Sequence, residues 1–520
     1  MSNEIIPDFI AHDIENHYEA IVIGSGIGGL VAANYLANAG VKVLLIEQHQ
    51  LIGGYFHGGW HKKNYFDYGT QSHEILGALL PIVRHLGIED QIKFKKCQHS
   101  FVSENGLSLK MGNMQDARNS FSKAYVESQN DINNYFDYYE EVYEVAKSLN
   151  LDGMGELIKS NTRDILTDYD GYWLNKQYHN DMMKFDSIIS SRKARSLLGR
   201  SRVARILSNF GYRNQSVLAS GLFWHLWKDD YYYTENGNQD FANKLAMNII
   251  AKGGAVAIGT SVIEIITEGE KVTGVRLGDK SVVHADYVIC NTDLVFALET
   301  LLKGHPLIHG LMNKAKKTPT SEAFFSSYIG TSIPVDELKQ ALNNSHHTWY
   351  FPDSDFADPF DINFHKNLPV EISAPVLQNP NMTHSGGSQV VLQCFSSIAW
   401  MNHWKINRLG KRTKDYLKLK AMVGQQLIEN VEKYIPGFSE SINFKMHGAP
   451  MTHTRYTGNY NGATAGWTWN PKRTLFKLNE QGVTTPFENL YFAGHWTLYP
   501  GGLLTAAVSG KMAADQIIYR

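Results

Sequence analysis

Residues 20–47 most narrowly constrain how this chain can fold. An apolar run leads into the glycine-rich segment Gly24–Gly29 (GSGIGG), small residues follow at helical spacing, and a second apolar run ends at Glu47. This order predicts a strand–helix–strand unit whose glycines allow a tight turn, a close approach to a pyrophosphate and packing of the helix on the strand. Glu47 stands where a carboxylate accepts hydrogen bonds from a ribose. The segment therefore predicts a dinucleotide site.

A membrane-spanning helix is the competing interpretation of the same residues. Residues 20–41 carry no charge and are long enough to cross a bilayer. Their glycines, however, cluster where a spanning helix would be continuous, and Lys42 and Glu47 belong to the following strand. We therefore exclude a span here.

Composition narrows the class of protein further. A chain of 520 residues exceeds one typical core, so two domains are expected. The net charge of −2 gives no reason to expect nucleic acid. Three widely separated cysteines (Cys97, Cys290 and Cys394) form no metal-binding, redox or disulfide pattern, and the acidic N-terminus has no apolar leader. We expect a cytoplasmic protein without a metal site.

Local patterns predict the remaining elements. The glycine-rich segment after Glu47 is expected to be irregular, with neither helix nor strand, and residues 116–170 are expected to be helical and acidic. The other predicted elements are a helix over 241–251, hairpin strands over 255–293, helices near 335–343 and 414–434, a strand over 490–493 and a helix from about 503.

A basic, aromatic stretch covers residues 192–228. No acid occurs between Asp186 and Asp229, whereas eight Lys or Arg residues occur there and Phe, Tyr and Trp are interleaved with the later ones. Such a stretch can lie on an anionic bilayer surface. It is also typical of a solvated helix face packed by core aromatics, so both interpretations stay open.

The chain resembles the phytoene desaturase-like flavoproteins, which include carotene desaturases, carotenoid isomerases and retinol saturase. The resemblance spans nearly the full length and rests on four segments in order. They are the Gly24–Gly29 segment with Glu47; Gly53-Gly54 with Phe66-Asp67-Tyr68-Gly69; Gly253-Gly254 with Val262–Ile265; and Leu490–Gly494 with Pro500-Gly501-Gly502 and Ser509-Gly510. A weaker match begins at His453.

The resemblance implies an α/β fold. We expect a Rossmann-type FAD-binding domain over 15–110, 232–300 and 445–520, and an interleaved α+β substrate or lid domain over 111–231 and 301–444, with helical elements that could face a membrane. It also implies FAD as the cofactor. The cofactor-binding residues implied are Gly24, Gly26, Ile27, Gly28, Gly29, Glu47, Gln48, Gly53, Gly54, Tyr55, Gly69, Thr70, Val262, Gly494, His495, Gly501, Gly502 and Leu503.

The implied activity is desaturation or isomerisation of a long apolar polyene in an apolar tunnel. A carotenoid-type polyisoprenoid is the default substrate. A fatty-acyl or other lipid chain, and a non-catalytic flavin-binding scaffold in a lipid-synthesis complex, remain alternatives. The direction of the reaction, the electron acceptor and the oligomeric state are left open.

The residue types expected near the flavin suggest three candidates for acid–base catalysis. His73 lies in the glycine-rich segment, and an imidazole suits proton transfer near neutral pH. Arg455 is a second candidate. His495 replaces the acid that relatives carry, and either approaches the substrate or simply replaces the flavin contact. Asp67 and Asp293 are expected to have structural roles.

Overall fold

The computed structural model describes most of the chain. It covers residues 14–74, 79–148, 231–352, 368–384, 386–396, 412–477 and 480–520, with single positions between 201 and 224. Three regions with sequence-based expectations lie outside these residues. They are the N-terminal segment before residue 14, for which no leader was expected, the expected helix beyond residue 148, and most of the 192–228 stretch.

The strands and helices of this part are numbered in chain order. The strands are β1 (His17–Ile23), β2 (Val43–Ile46), β3 (Gly58–His61), β4 (Asn64–Asp67), β5 (His73–Glu74), β6 (Phe94–Lys96), β7 (His99–Ser103), β8 (Ser108–Lys110), β9 (Tyr231–Thr234), β10 (Ala255–Ala257), β11 (Val262–Glu268), β12 (Lys271–Leu277), β13 (Val282–Cys290), β14 (Ala323–Thr331), β15 (His347–Phe351), β16 (Val370–Ser373), β17 (Ser388–Ser396), β18 (Ile442–Gly448) and β19 (Leu490–Phe492). The helices are α1 (Ile27–Asn38), α2 (Leu80–His85), α3 (Met114–Ala124), α4 (Gln129–Ser148), α5 (Asn238–Ala251), α6 (Leu294–Phe296), α7 (His309–Lys317), α8 (Val335–Ala341), α9 (Lys414–Tyr434), α10 (Phe438–Ser441), α11 (Pro450–Thr457) and α12 (Leu503–Ile518).

The first sheet has the predicted Rossmann-type topology. Its strand order is β10-β2-β1-β13-β12-β11, and β19 pairs with the end of β13. Strands β10, β2, β1, β13 and β19 are parallel, so their carboxyl ends meet at one edge. In register, Ile23 lies between Ile46 and Cys290. The N-terminal unit, the middle of the chain and the C-terminal strand therefore build one sheet.

Helix α1 lies between this sheet and α12, which explains why its sequence is apolar all round. Its residues from Ile27 to Ala37 are buried. The two helices approach so closely that a Cβ atom on Gly510 would lie 2.1 Å from the carbonyl oxygen of Gly28. Only glycine permits that approach, since no Cβ atom fits at such a distance from backbone.

The second sheet has the order β18-β14-β17-β16-β15-β7-β8. One face packs on α8 and α9 through an apolar cluster that includes Phe325, Ile372 and Leu392. Strand β7 pairs in parallel with β15, so residues 99–110 lie in this sheet although the sequence-based division assigned them to the cofactor domain. That pairing joins residues distant in sequence, which local composition does not reveal.

The expectation of an irregular segment after Glu47 is wrong for residues 58–67. Strands β3 and β4 form an antiparallel hairpin. Its two-residue turn is Lys62-Lys63, with positive φ at both (43° and 72°). Such turns favour Asn-Gly or Asp-Gly, so a Lys-Lys turn gave no sequence signal.

No helix within the described ranges is long and apolar enough to cross a membrane. Two aromatic residues of the 192–228 stretch are described. Trp224 is buried beside Phe136 of α4, and Tyr212 is partly buried against Trp469. These two side chains therefore pack inside the protein.

We predict that Gly28→Ala destabilises the fold by roughly 1–3 kcal/mol, the usual cost of overpacking. The new Cβ atom would lie 2.6 Å from Asn291 Oδ1, 2.8 Å from the Ala506 carbonyl oxygen and 2.9 Å from the Gly494 nitrogen. The midpoint of urea unfolding measures the loss.

Gly310→Ala is the matched control, because Gly310 is exposed on α7 and its Cβ atom would meet nothing within 4 Å. An equal change in both variants would contradict the argument from close packing.

Candidate functional site

A cleft opens at the carboxyl edge of the parallel strands. Its cavity volume is about 320 Å³, at the lower end of the roughly 300–1,000 Å³ of sites for small ligands. It is lined by the residues directly after β1, β2 and β13, namely Gly24, Glu47 and Asn291, and by Gly494, the second residue after β19. Binding at this edge, where strand order reverses around β1, is the general rule for open α/β sheets.

Two glycine segments form the floor of the cleft. Gly53 N–H donates to the Ser25 carbonyl oxygen at 3.0 Å, and Gly26 and Gly53 form an isolated parallel bridge. A Cβ atom on Gly54 would lie 3.2 Å from Gly26 Cα. These glycines leave the backbone without side chains next to the N-terminus of α1. The free N–H groups and the dipole of that helix favour binding of a phosphate.

Glu47 is held rigidly at the end of β2. It is 6% exposed, and Oε2 accepts hydrogen bonds from Ser25 N (2.9 Å) and Ser25 Oγ (2.6 Å). Oε1 accepts from His49 N at 2.9 Å. A carboxylate has about four acceptor positions, so capacity remains for a ribose hydroxyl.

Asn291 is the residue that sequence reasoning missed. Its Nδ2 donates to the carbonyl oxygens of Gly24 (3.1 Å) and Gly26 (3.4 Å). A Cβ atom on Gly28 or Gly494 would lie 2.6 or 2.9 Å from its Oδ1. Asn291 thus connects the first glycine segment with the C-terminal block, and a polar residue at the end of an apolar strand was the only available signal.

The C-terminal block brings a second helix N-terminus to the cleft. Gly494 N donates to Ser509 Oγ on α12 at 2.8 Å. Gly502 precedes α12 with φ at +133°, and a Cβ atom there would meet nothing within 4 Å. Gly502 and Leu503 line the cleft, so the positive end of α12 is available to the ligand.

His495 lines the opposite part of the cleft as a neutral ring. Its Nε2 lies 3.2 Å from Asn459 Oδ1, which also accepts from Trp496 Nε1 at 3.0 Å. Burial lowers the pKa of His495 to about 4, opposed by a hydrogen bond to the Thr464 backbone. At neutral pH this side chain is therefore a hydrogen-bonding group without charge.

Tyr55 stands beside His495. Their rings are 6.2 Å apart, and His453 lies 5.7 Å from Tyr55 on the other side. The buried Tyr55 hydroxyl makes no hydrogen bond of good geometry within the described part of the chain; burial raises its pKa, and the nearby Thr457 and Asn459 side chains oppose the rise. A hydroxyl left in this state fits a cleft whose ligand supplies polar atoms, as the ring system of FAD does.

The structure brings Arg455 and His495 to the cleft but not His73. Arg455 is exposed on α11 and lines the cleft. His73 belongs to β5, which pairs with β9, and its ring is buried between Phe56 and Phe94. It is not part of the described cleft lining, so the expected proton-transfer role does not fit its position.

Most predicted cofactor residues line the cleft: Gly24, Gly26, Ile27, Gly28, Glu47, Gln48, Gly53, Gly54, Tyr55, Thr70, Val262, Gly494, His495, Gly502 and Leu503. Gly29, Gly69 and Gly501 do not. A Cβ atom on Gly29, Gly69 or Gly501 would lie 2.0, 2.2 or 1.9 Å, respectively, from a backbone carbonyl oxygen. They permit the turns that shape the cleft.

Asp67 and Asp293 organise backbone as expected. Asp67 Oδ1 accepts from Asn238 N at 3.0 Å, at the start of α5. Asp293 accepts from Phe296 N (2.8 Å) and from Tyr460 N (2.7 Å), which ties α6 to the segment after α11. Burial raises the pKa of both carboxyls to about 6.

Comparisons with known proteins agree with this geometry. The family model of flavin containing amine oxidoreductases matches residues 27–518. Prolycopene isomerase of Daucus carota is 25% identical, over 96% of this chain and 80% of its own. A 4,4'-diaponeurosporene oxygenase of Staphylococcus aureus is 23% identical, over 96% of this chain and 97% of its own.

Solved structures support the fold. A redesigned putrescine oxidase superposes with a TM-score of 0.63 at 15% identity, over 97% of this chain and 99% of its own. An oxidoreductase from Methanosarcina mazei gives 0.60 at 14% identity, over 95% and 99%.

We predict that the protein loses stability as the pH falls from about 7 to about 5. Burial lowers the pKa of His57, His73, His346, His447, His453 and His495 to about 3 or 4. The unfolded chain binds protons on them below about pH 6.5 whereas the folded chain does not, so acid favours unfolding. Asp67 and Asp293 oppose this between about pH 4 and 6, but they are fewer.

The midpoint of urea unfolding at the two pH values measures the effect. His73→Asn reduces the acid loss, whereas His17→Asn, at an exposed position, leaves it unchanged. A midpoint that rises on acidification would contradict the prediction.

Proposed function

The chain belongs to the flavin containing amine oxidoreductase family, its cofactor is FAD, and from that premise we propose that it desaturates or isomerises a long apolar polyene of carotenoid type. The observation that carries the proposal is the cleft on which two helix N-termini and two glycine segments converge. It is built by residues from both ends of the chain, as an extended dianionic cofactor requires.

The residues that would hold FAD divide the cleft into two parts. The backbone of Gly24–Gly29 and the N-terminus of α1 would bind the pyrophosphate, and Glu47 the ribose. Gly502 and Leu503 at the N-terminus of α12, with Tyr55 and His495, would hold the flavin end. FAD supplies the redox chemistry when bound. The chain's own contribution is to fix these groups before the ligand arrives.

His495 and Tyr55 would act as hydrogen-bonding groups at the flavin end. The ring of His495 is neutral near pH 7, and the pKa of Tyr55 is raised by burial, so neither group brings a charge to an apolar substrate. Arg455, exposed at the cleft, is the charged candidate. We infer that it contacts the cofactor rather than the substrate, because a polyene offers a guanidinium no partner.

The substrate class rests on relatives. Prolycopene isomerase and 4,4'-diaponeurosporene oxygenase, by their names, act on carotenoids, and both match 96% of this chain. Their identities of 25% and 23% leave a fatty-acyl or other lipid chain as an alternative. A flavin-binding scaffold in a lipid-synthesis complex is the alternative from a different class.

Anaerobic photoreduction of the purified holo-protein, followed by addition of a cis-carotene or phytoene, tests the proposal. We expect a flavin that is reduced and reoxidised, and an isomerised or desaturated polyene by liquid chromatography. The same protein stripped of FAD is the control. A flavin that cycles without changing the polyene would exclude that substrate, and one that cannot be reduced would exclude the enzyme.

We also propose that the basic side chains of residues 192–228, rather than the packed Tyr212 and Trp224, contact the cytoplasmic face of a membrane, where an apolar substrate is dissolved. Their eight basic residues without an acid support this. We expect the protein to sediment with vesicles containing phosphatidylserine more than with phosphatidylcholine alone, and R192E/K193E/R195E to reduce the difference. Equal sedimentation with both would contradict the proposal.

A further inference from the structure

A row of polar side chains crosses the second sheet on the face away from its α8–α9 core. Ser326 of β14, Gln393 of β17 and Glu371 of β16 lie opposite one another in register. Gln393 Nε2 donates to Ser326 Oγ at 2.9 Å. Because side chains alternate along a strand, the neighbours Phe325 and Ile372 point into the apolar cluster on the other face.

Glu371 is held at the end of this row by a histidine and a tyrosine. His347 Nε2 contacts Glu371 Oε1, and the Tyr231 hydroxyl contacts His347 Nδ1. The ring of His347 is stacked on His99, with centroids 5.0 Å apart. These contacts fix the position of the carboxylate.

The second carboxylate oxygen of Glu371 is available to a ligand. No group in the described part of the chain donates a hydrogen bond to Oε2, although the residue is only 8% exposed. Ser373, two residues further on the same strand, has a buried hydroxyl that also makes no hydrogen bond among the described residues. Buried polar groups are normally paired, so the Ser373 hydroxyl indicates a missing partner beside this carboxylate.

The polar row lies beyond the flavin end of the cleft. The Tyr212 hydroxyl is 3.3 Å from Oγ1 of Thr464, a cleft-lining residue. The ring of Tyr212 lies 5.6 Å from that of Phe395 on β17, the strand that carries Gln393. Tyr212 therefore contacts both the cofactor cleft, through Thr464, and strand β17, which pairs with the strand of Glu371.

Stability alone does not explain a carboxylate at this position. The pKa of Glu74 is raised, chiefly by burial, with Glu371 adding to the rise and His347 opposing it. Burying the carboxyl of Glu371 costs free energy that an apolar residue would avoid. A chamber for a pure hydrocarbon has no use for them either.

We propose that Glu371, positioned by His347 and Tyr231, binds a hydrogen-bond donor (a hydroxyl or an ammonium group) at the end of an otherwise apolar substrate. The apolar chain in this proposal rests on the proposed function. The polar end does not, because it follows from the contacts of Glu371.

Tryptophan-fluorescence titration of the detergent-solubilised holo-protein with farnesol, farnesylamine and β-farnesene tests the proposal. The three probes share an apolar chain and differ in its end. We expect at least one of the first two to bind about tenfold or more tightly than β-farnesene, as one hydrogen bond to a charged group provides. Whichever binds more tightly identifies the donor as hydroxyl or ammonium.

Glu371→Gln is expected to remove most of that preference and to leave the affinity for β-farnesene unchanged. Glu337→Gln, at an exposed position on α8, is the matched control. Bound FAD, measured by absorbance, shows whether each variant is folded.

Equal binding of all three probes by the unaltered protein would overturn the proposal, even if the Glu371 variant did not fold. An equal loss for all three in that variant would also overturn it. A protein that keeps the preference but fails photoreduction would refute the proposed function and leave this site intact.

Discussion

The contacts of one partly buried amide, that of Asn291, hold the cofactor domain together. Asn291 follows β13, donates to the carbonyl oxygens of Gly24 and Gly26, and sits where Cβ atoms of Gly28 and Gly494 would be. Gly28 and Gly494, which are 466 residues apart in sequence, can meet at Asn291 only because these positions lack side chains. The close packing of α1 on α12 and the shape of the cleft depend on that meeting.

From this packing the chemistry of the cleft follows in two parts. Two helix N-termini and a fixed carboxylate, Glu47, form a polar part suited to phosphates and a ribose. Tyr55 and His495 form a second part that is hydrogen-bonding but uncharged near neutral pH. Tyr212 contacts Thr464 of the cleft and Phe395 of β17, the strand beside Glu371, and this carboxylate distinguishes the expected substrate chamber from a wholly apolar tunnel.

Local sequence predicted the cofactor half well, because its signals are local. The sequence signals of this half, which are the glycines, Glu47 and the strand before Gly494, are each recognisable within a few residues. All of them lie at the cleft. The sequence could not reveal contacts that depend on which strands pair. The strand of His73 pairs with β9, so this residue lies away from the cleft. Strand β7 belongs to the second sheet because it pairs with β15. Glu371 contacts His347 on the neighbouring strand. The Lys62-Lys63 turn was missed because its residues are atypical of that turn.

The dissociation constant of FAD for Asn291→Ala tests the central claim most directly, with Asn119→Ala on the exposed face of α3 as the comparison. Because Asn291→Ala loses two hydrogen bonds that shape the glycine segment, its dissociation constant for FAD should rise by about tenfold or more. Unchanged FAD affinity in the Asn291 variant, with the fold intact, would contradict the account in which both ends of the chain meet on this residue to bind the cofactor.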